Sequence, residues 1–177
     1  MRSIKFVQVV VLAVTLLVAS AVGVAAQASD GMPPVHVTGQ VHFEDSDPFE
    51  PPTSSTSVGV VQEHRGISAV RQLTMSDSRL SGSQRAVWNQ FDYGVDGSTV
   101  SGRLLIENDG GSWRGTYQGV IFPHGPGVAR HQAVLIGEGG YEGLSAVLYY
   151  DPASSDDTLG VEGFIFRGEV PEYPALD

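Results

Sequence analysis

Apolar and polar residues alternate along most of the chain with a period of two. Val35, Val37, Val41 and Phe43 are separated by His36, Thr38, Gln40 and His42, which predicts a β-strand with one dry face. The pattern returns with Ile67, Ala69, Leu73 and Met75 on one face of a strand over 66–75. It returns again over 83–93, which carries Trp88 and Phe91. Val100, Gly102, Leu104 and Ile106 share a face over 99–107, as do Trp113, Tyr117 and Ile121 over 112–122. Further strands are predicted over 129–137, 141–150 and 158–169. Between them lie turn signals such as "SDSRLSG", "GVDGS" and "ENDGGSW", in which Ser, Asp and Gly satisfy or free the backbone locally. The stretch "EDSDPFEPPTSSTS" (44–57), acidic and rich in Pro, Ser and Thr, reads as a long exposed loop.

Eight strands joined mostly by short turns make a meander, and eight is the number at which an antiparallel meander closes into a small barrel. No later segment sustains helical periodicity without a Gly or Pro cutting it. The predicted fold class is therefore all-β, an eight-stranded antiparallel up-and-down barrel preceded by a signal helix. A two-sheet sandwich is the alternative, but it needs long crossovers and only 44–57 is long enough.

The first thirty residues carry a different pattern. Arg2 and Lys5 precede an apolar run from Val9 to Ala26 and the small-residue site Ala26-Gln27-Ala28. That is the layout of a secretory signal peptide cleaved after residue 28, with an uncleaved amino-terminal membrane anchor as the competitor. The expected organisation is a signal at 1–28, a first strand and acidic loop at 29–57, the rest of one barrel domain at 58–170, and a Pro-interrupted tail at 171–177. The expected location is extracellular, with no stable membrane association after cleavage. Losing Arg2 and Lys5 deepens the net charge from −10 to −12. Such an acidic chain is unsuited to nucleic acid, whose phosphates require a basic surface. Zero cysteine excludes a disulfide framework, a thiolate metal site and a thiol nucleophile.

Several stretches carry a family resemblance. "GEGGYEGLSAVLYY" (137–150) followed by "VEGFIFRGEVPEYP" (161–174) resembles the glycine–aromatic pattern of dirigent proteins and allene oxide cyclase-like barrels. Together with "SDSRLSG" and "NDGGSWRGTYQG", these words are similar to those of secreted, mostly actinobacterial proteins of that barrel type. The resemblance covers about 76–169. It implies an eight-stranded barrel with a central cavity, often oligomeric, in which plant members guide cyclisation or coupling of apolar substrates without a cofactor. A homo-oligomer is one implied partner state. The plant enzymes' polar catalytic residues have no matching positions in this chain.

The candidate chemistry is sparse. Glu142, with Glu138 and Glu162 nearby in late strands, would supply a raised-pKa carboxylic acid if two of them faced inward; the competing reading is solvated surface glutamate. Asp77 beside Arg79 forms either a substrate-orienting pair or a self-bonded turn. Trp88, Tyr117 and Tyr149 either line a ligand cavity or fill a core. His36 and His42 are roughly 20 Å apart along one strand and His64, His124 and His131 are scattered, so no metal site is expected. No cofactor is expected either. "GEGGYEG" lacks the Lys and the following helix of a phosphate loop. Two functions stay open. One is a non-catalytic module that binds a small apolar ligand or a protein partner. The other is a cofactor-free isomerase or cyclase acting on an apolar substrate in the barrel.

Overall fold

The structure, a computed structural model, describes residues 33–42, 49–122, 128–155 and 158–170. The chain divides into two units, Met1–Gly31 and Met32–Asp177, and every described residue belongs to the second. The expected signal segment at 1–28, the "PHGPG" turn and the tail at 171–177 lie outside the described residues.

Ten strands form one antiparallel sheet: β1 (Val35–His42), β2 (Phe49–Glu50), β3 (Ser54–Val58), β4 (Val61–Met75), β5 (Gly82–Asp92), β6 (Ser98–Asn108), β7 (Gly111–Phe122), β8 (Val128–Gly139), β9 (Leu144–Ser155) and β10 (Thr158–Arg167). Eight of them follow one another in the order β1, β10, β9, β8, β7, β6, β5, β4, and β4 then pairs with β1, so the sheet closes in a ring. Closure removes the exposed edges that an open sheet would offer to other chains. The described residues contain no α-helix, only short 3-10 turns at Ser78–Leu80 and Gly94–Asp96.

The expected inward rows are the buried ones. Leu73 and Met75, then Val100, Leu104 and Ile106, then Trp113 and Tyr117 all enter one core, and Ile67 and Ala69 are buried further along β4. The register is staggered around the ring. From Met75 it passes through Gly39, Val161, Tyr150, His131, Gly119, Val100 and Gln90, and returns to β4 at His64 rather than at Met75. Such a stagger tilts the strands and sets the ring's width. With eight strands the interior is just wide enough to be filled by side chains or to hold one small ligand.

The closing seam is short, with only Gly39–His42 lying against Gln72–Met75. It demands glycine at position 39, because a Cβ there would collide with the Thr74 carbonyl and the Met75 side chain. Strands at this point approach more closely than any larger residue allows.

Several boundaries differ from the sequence expectation. Ser54–Val58, expected as loop, is strand β3, and β4 begins at Val61 rather than at residue 66. β1, β2 and β3 lie one after another along one edge of β4, so this Ser/Thr-rich stretch finds its backbone partners there. Serine and threonine tolerate an exposed strand once a partner edge exists, which the local composition does not reveal. Gly66, at φ 69°, forms the bulge where β4 passes from this ribbon into the ring. Finally, Tyr141 belongs to the turn before β9, and residues 151–155, expected as loop, continue that strand.

One end of the ring is sealed by a hydrogen-bonded plug. The turn after β4 drops Leu80 into the core at 0% exposure, beside Trp113, also at 0%. Asn108, at the end of β6, ties the plug together. Its Nδ2 donates to the carbonyls of Arg79 (3.1 Å) and Ser81 (2.8 Å), with a longer 3.4 Å contact to Ser78. Its Oδ1 accepts from the Tyr141 hydroxyl (2.6 Å) and the Gly110 amide (2.9 Å). Trp113 Nε1 donates to the Arg79 carbonyl at 2.7 Å, and its ring stacks on Tyr141 with centroids 5.2 Å apart. Asn108→Ala takes the side-chain partner from the Ser81 carbonyl, the Gly110 amide and the Tyr141 hydroxyl, while the Arg79 carbonyl keeps Trp113 Nε1. Urea unfolding should show a loss of roughly 2–4 kcal/mol; a change within about 0.5 kcal/mol would mean that water replaces the amide and the tie is dispensable.

Candidate functional site

Burial is uneven along the ring axis. At the plugged end Leu80, Ile106, Trp113, Leu135 and Ile165 are all fully buried. Towards the other end the inward side chains Trp88, Gln90, Ile121, His131 and Leu159 are only half-buried. Among the described residues, the inward side chains are thus fully buried at one end and partly exposed at the other.

Polar side chains gather between the plug and this partly exposed end. Arg71 interrupts the inward row Ile67, Ala69, Leu73, Met75 on β4 and is itself half-buried. Gln84, buried on β5, accepts a hydrogen bond from the buried Tyr150 hydroxyl of β9 at 3.3 Å. Tyr117 on β7 faces His131 on β8, with ring centroids 5.9 Å apart and tilted by 59°. The imidazole has room because position 119 is glycine; a Cβ there would collide with His131 Cδ2. His131 Nε2 is buried and finds no hydrogen-bond partner among the described residues.

Electrostatics tune this cluster. Burial pushes the His131 imidazole down to about 4, and the positive charge of Arg71 adds to that push. Burial also raises the Tyr117 and Tyr150 phenols well above the ordinary tyrosine range, Arg71 partly opposing this at Tyr117. At neutral pH the site therefore holds a neutral imidazole, two protonated phenols and an arginine cation. That set can donate hydrogen bonds to an oxygen atom, and its imidazole can exchange a proton.

The residues expected from sequence fall in three places. Tyr117 faces the interior cluster, and Trp88 lies half-buried towards the partly exposed end. Tyr149, expected beside them, points outward and is 46% exposed, because its neighbour Tyr150 takes the inward position on β9. Asp77 and Arg79 sit at the plugged end. Asp77 Oδ1 accepts from the Arg79 amide (3.0 Å) and Nε (2.9 Å), and Oδ2 lies 2.6 Å from the guanidinium. The hydrogen bonds from Arg79 hold the Asp77 carboxyl below its usual range. This pair clasps the 3-10 turn that seats Leu80, the self-bonded alternative of the two readings. Glu142 is exposed in the turn before β9, and Glu138 and Glu162 are exposed on the outer face. Glu138 accepts from Ser112 Oγ at 3.1 Å and lies 3.6 Å from Arg114. The inward carboxylate pair is thus not formed by these residues.

Arg71, Gln84, His131 and Tyr150 did not emerge as site residues from the sequence. One signal was present, since Arg71 stands at a period-two position within an otherwise apolar row. The others appear only once the ring brings β5, β7, β8 and β9 face to face. Elsewhere, Ser55 Oγ lies 2.8 Å from His64 Nδ1 on the exposed β3–β4 ribbon, a cross-strand pair open to water. Among the described residues no group of three or more His, Asp or Glu could hold a metal ion, and no helix is long and apolar enough to cross a membrane.

The folded-state pKa of His131 lies below its unfolded value, so its contribution to stability is fully present above about 6.5 and is lost as the pH falls towards 4. Over that interval the unfolded chain takes up a proton that the folded protein refuses. Denaturant titrations at pH 7.5 and 5.0 should show the parent losing more stability than His131→Gln, by up to about 2 kcal/mol. Equal losses would mean that the imidazole titrates inside the ring as it does in the unfolded chain.

Comparison with known proteins adds no relative: no protein-family description, curated protein or solved structure matches this chain, and the functional reading rests on the geometry of the ring.

Proposed function

We propose that the ring is an eight-stranded up-and-down barrel of the dirigent and allene oxide cyclase-like kind, exported from the cell, and that it binds a small, largely apolar molecule without changing it. The ligand passes Trp88 at the open mouth, rests its apolar body on Val100, Ile121 and Leu159, and sets a polar group against Arg71, His131 and Tyr117. The observation that carries this reading is the contrast between the two ends. One mouth is sealed by Leu80, Trp113 and Tyr141, whereas at the other Trp88, His131 and Leu159 remain half-buried around a partnerless Nε2. A buried polar atom without a partner costs free energy, and a ligand oxygen would relieve that cost.

A cofactor-free isomerase or cyclase is the competing reading. It is favoured by the neutral imidazole placed against a protonated phenol and an arginine, a set that can move a proton. The two readings differ in whether the ligand emerges altered.

The test uses N-phenyl-1-naphthylamine, an apolar fluorophore that brightens on leaving water. The full mature chain should bind it saturably, and Trp88→Ala and Arg71→Leu should each alter the affinity by at least fivefold while Tyr149→Ala leaves it unchanged. Absence of saturable binding, or binding indifferent to both interior substitutions, overturns the interior site. Mass spectrometry of molecules extracted from the natively purified protein then separates binder from enzyme by whether an added extract component returns with an altered structure.

A further inference from the structure

A groove beside the interior site takes Val100 and His131 into its lining, but most of its lining is made by residues that the interior reading does not use. It has a volume of about 580 Å³ and runs over the outer face of β5 to β9, between Phe91 and Tyr149. The register places its floor in two rows. Ser101, Gln118, Gln132 and Tyr149 stand side by side on adjacent strands, and Phe91, Thr99, Val120 and Arg130 form the second row beside them. At about 4.8 Å per strand the groove is roughly 19 Å long. Phe91 is 38% exposed at one end and Tyr149 is 46% exposed at the other.

The chemistry of this lining is unusual for the outer face of an acidic protein, where charged side chains are the ordinary choice. Arg130 is the charged residue among those that line the groove, and its Nε lies 3.9 Å from Asp151 Oδ1. Beside the His131 ring, Val100, Val120 and Gly119, the lining offers two glutamine amides, the Ser101 and Thr99 hydroxyls, and an aromatic ring at each end. Gln132 Nε2 lies 3.4 Å from the Tyr149 hydroxyl, which sets the amide beside the ring. Side-chain amides offer a donor and an acceptor together, matching a hydroxyl group that is itself both. An exposed aromatic face offers a flat apolar surface to a ring whose own faces carry C–H groups.

A pyranose has that combination, with C–H groups on its faces and hydroxyls around its rim. We infer that the groove is a binding site for a neutral carbohydrate chain laid across the outer strands, with sugar rings stacked on Phe91 and Tyr149 and hydroxyls bonded to Gln118 and Gln132. A lone arginine, itself 3.9 Å from Asp151, is no array of charge to match a phosphate-bearing or strongly charged ligand, and that disfavours one.

Affinity gel electrophoresis of the mature chain tests this, with hydroxyethylcellulose, xylan, glucomannan and soluble starch as the immobilised probes. At least one should retard the protein. Phe91→Ala and Tyr149→Ala should each weaken that retardation at least tenfold, and Arg130→Gln less than threefold. All three side chains point into solvent, so unchanged circular dichroism and an unchanged unfolding midpoint identify the loss as a loss of binding. Retardation by none of the four polysaccharides, or retardation undiminished in the double variant, overturns the site. So does retardation by heparin alone that disappears with Arg130→Gln, which would make the ligand an anion.

Discussion

The architecture depends on how a closed sheet ends. A ring of strands has no edge, but it has two mouths, and water entering either one would wet the inward apolar rows. At one mouth the side-chain amide of Asn108 solves this by joining the turn after β4 to the turn before β9. The Arg79 and Ser81 carbonyls receive its N–H groups, and its oxygen receives the Tyr141 hydroxyl. Leu80, Trp113 and Tyr141 can then pack as a solid floor. The interior above that floor is free to take polar residues.

This division of labour places the recurring words of the sequence in a new light. "SDSRLSG", "NDGGSWRGTYQG" and "GYEGL" meet at the plugged end, where the first supplies the clasped turn and Leu80, the second Asn108 and Trp113, and the third Tyr141. The later part of the second word, Tyr117 and Gly119, reaches the polar cluster, as does Tyr150 at the end of the stretch 137–150.

The polar cluster has a cost that the plug helps to offset. Arg71 and His131 occupy inward positions where leucine or valine would add core, and burial holds the imidazole neutral. A chain selected for stability alone has no reason to keep them there. The long register pairings of β5 through β10 carry the ring past this weak region, whereas the short β1–β4 seam, with Gly39 at its closest approach, is its least redundant joint.

The eight strands of the ring, their faces and most of the core were legible in the chain, because a sheet's side-chain period is two whatever its partners are, whereas β2 and β3 were not. Asp77 with Arg79 was legible too, as a local turn whose partners lie two residues apart. The ends of strands were less so: Ser54–Val58 becomes strand because β4 extends to meet it, and that is a property of the partner. The site was the least legible part. Tyr149 and Tyr150 are adjacent and chemically alike, and only the register decides that Tyr150 bonds Gln84 inside while Tyr149 flanks a groove outside. Likewise Tyr117 and His131 meet across the β7–β8 pairing, and Arg71 comes to them from β4 on a distant part of the chain. Alternation along one strand determined which residues could face inward together; ring closure decided which of them meet, because contacts between strands depend on register and no single strand encodes it.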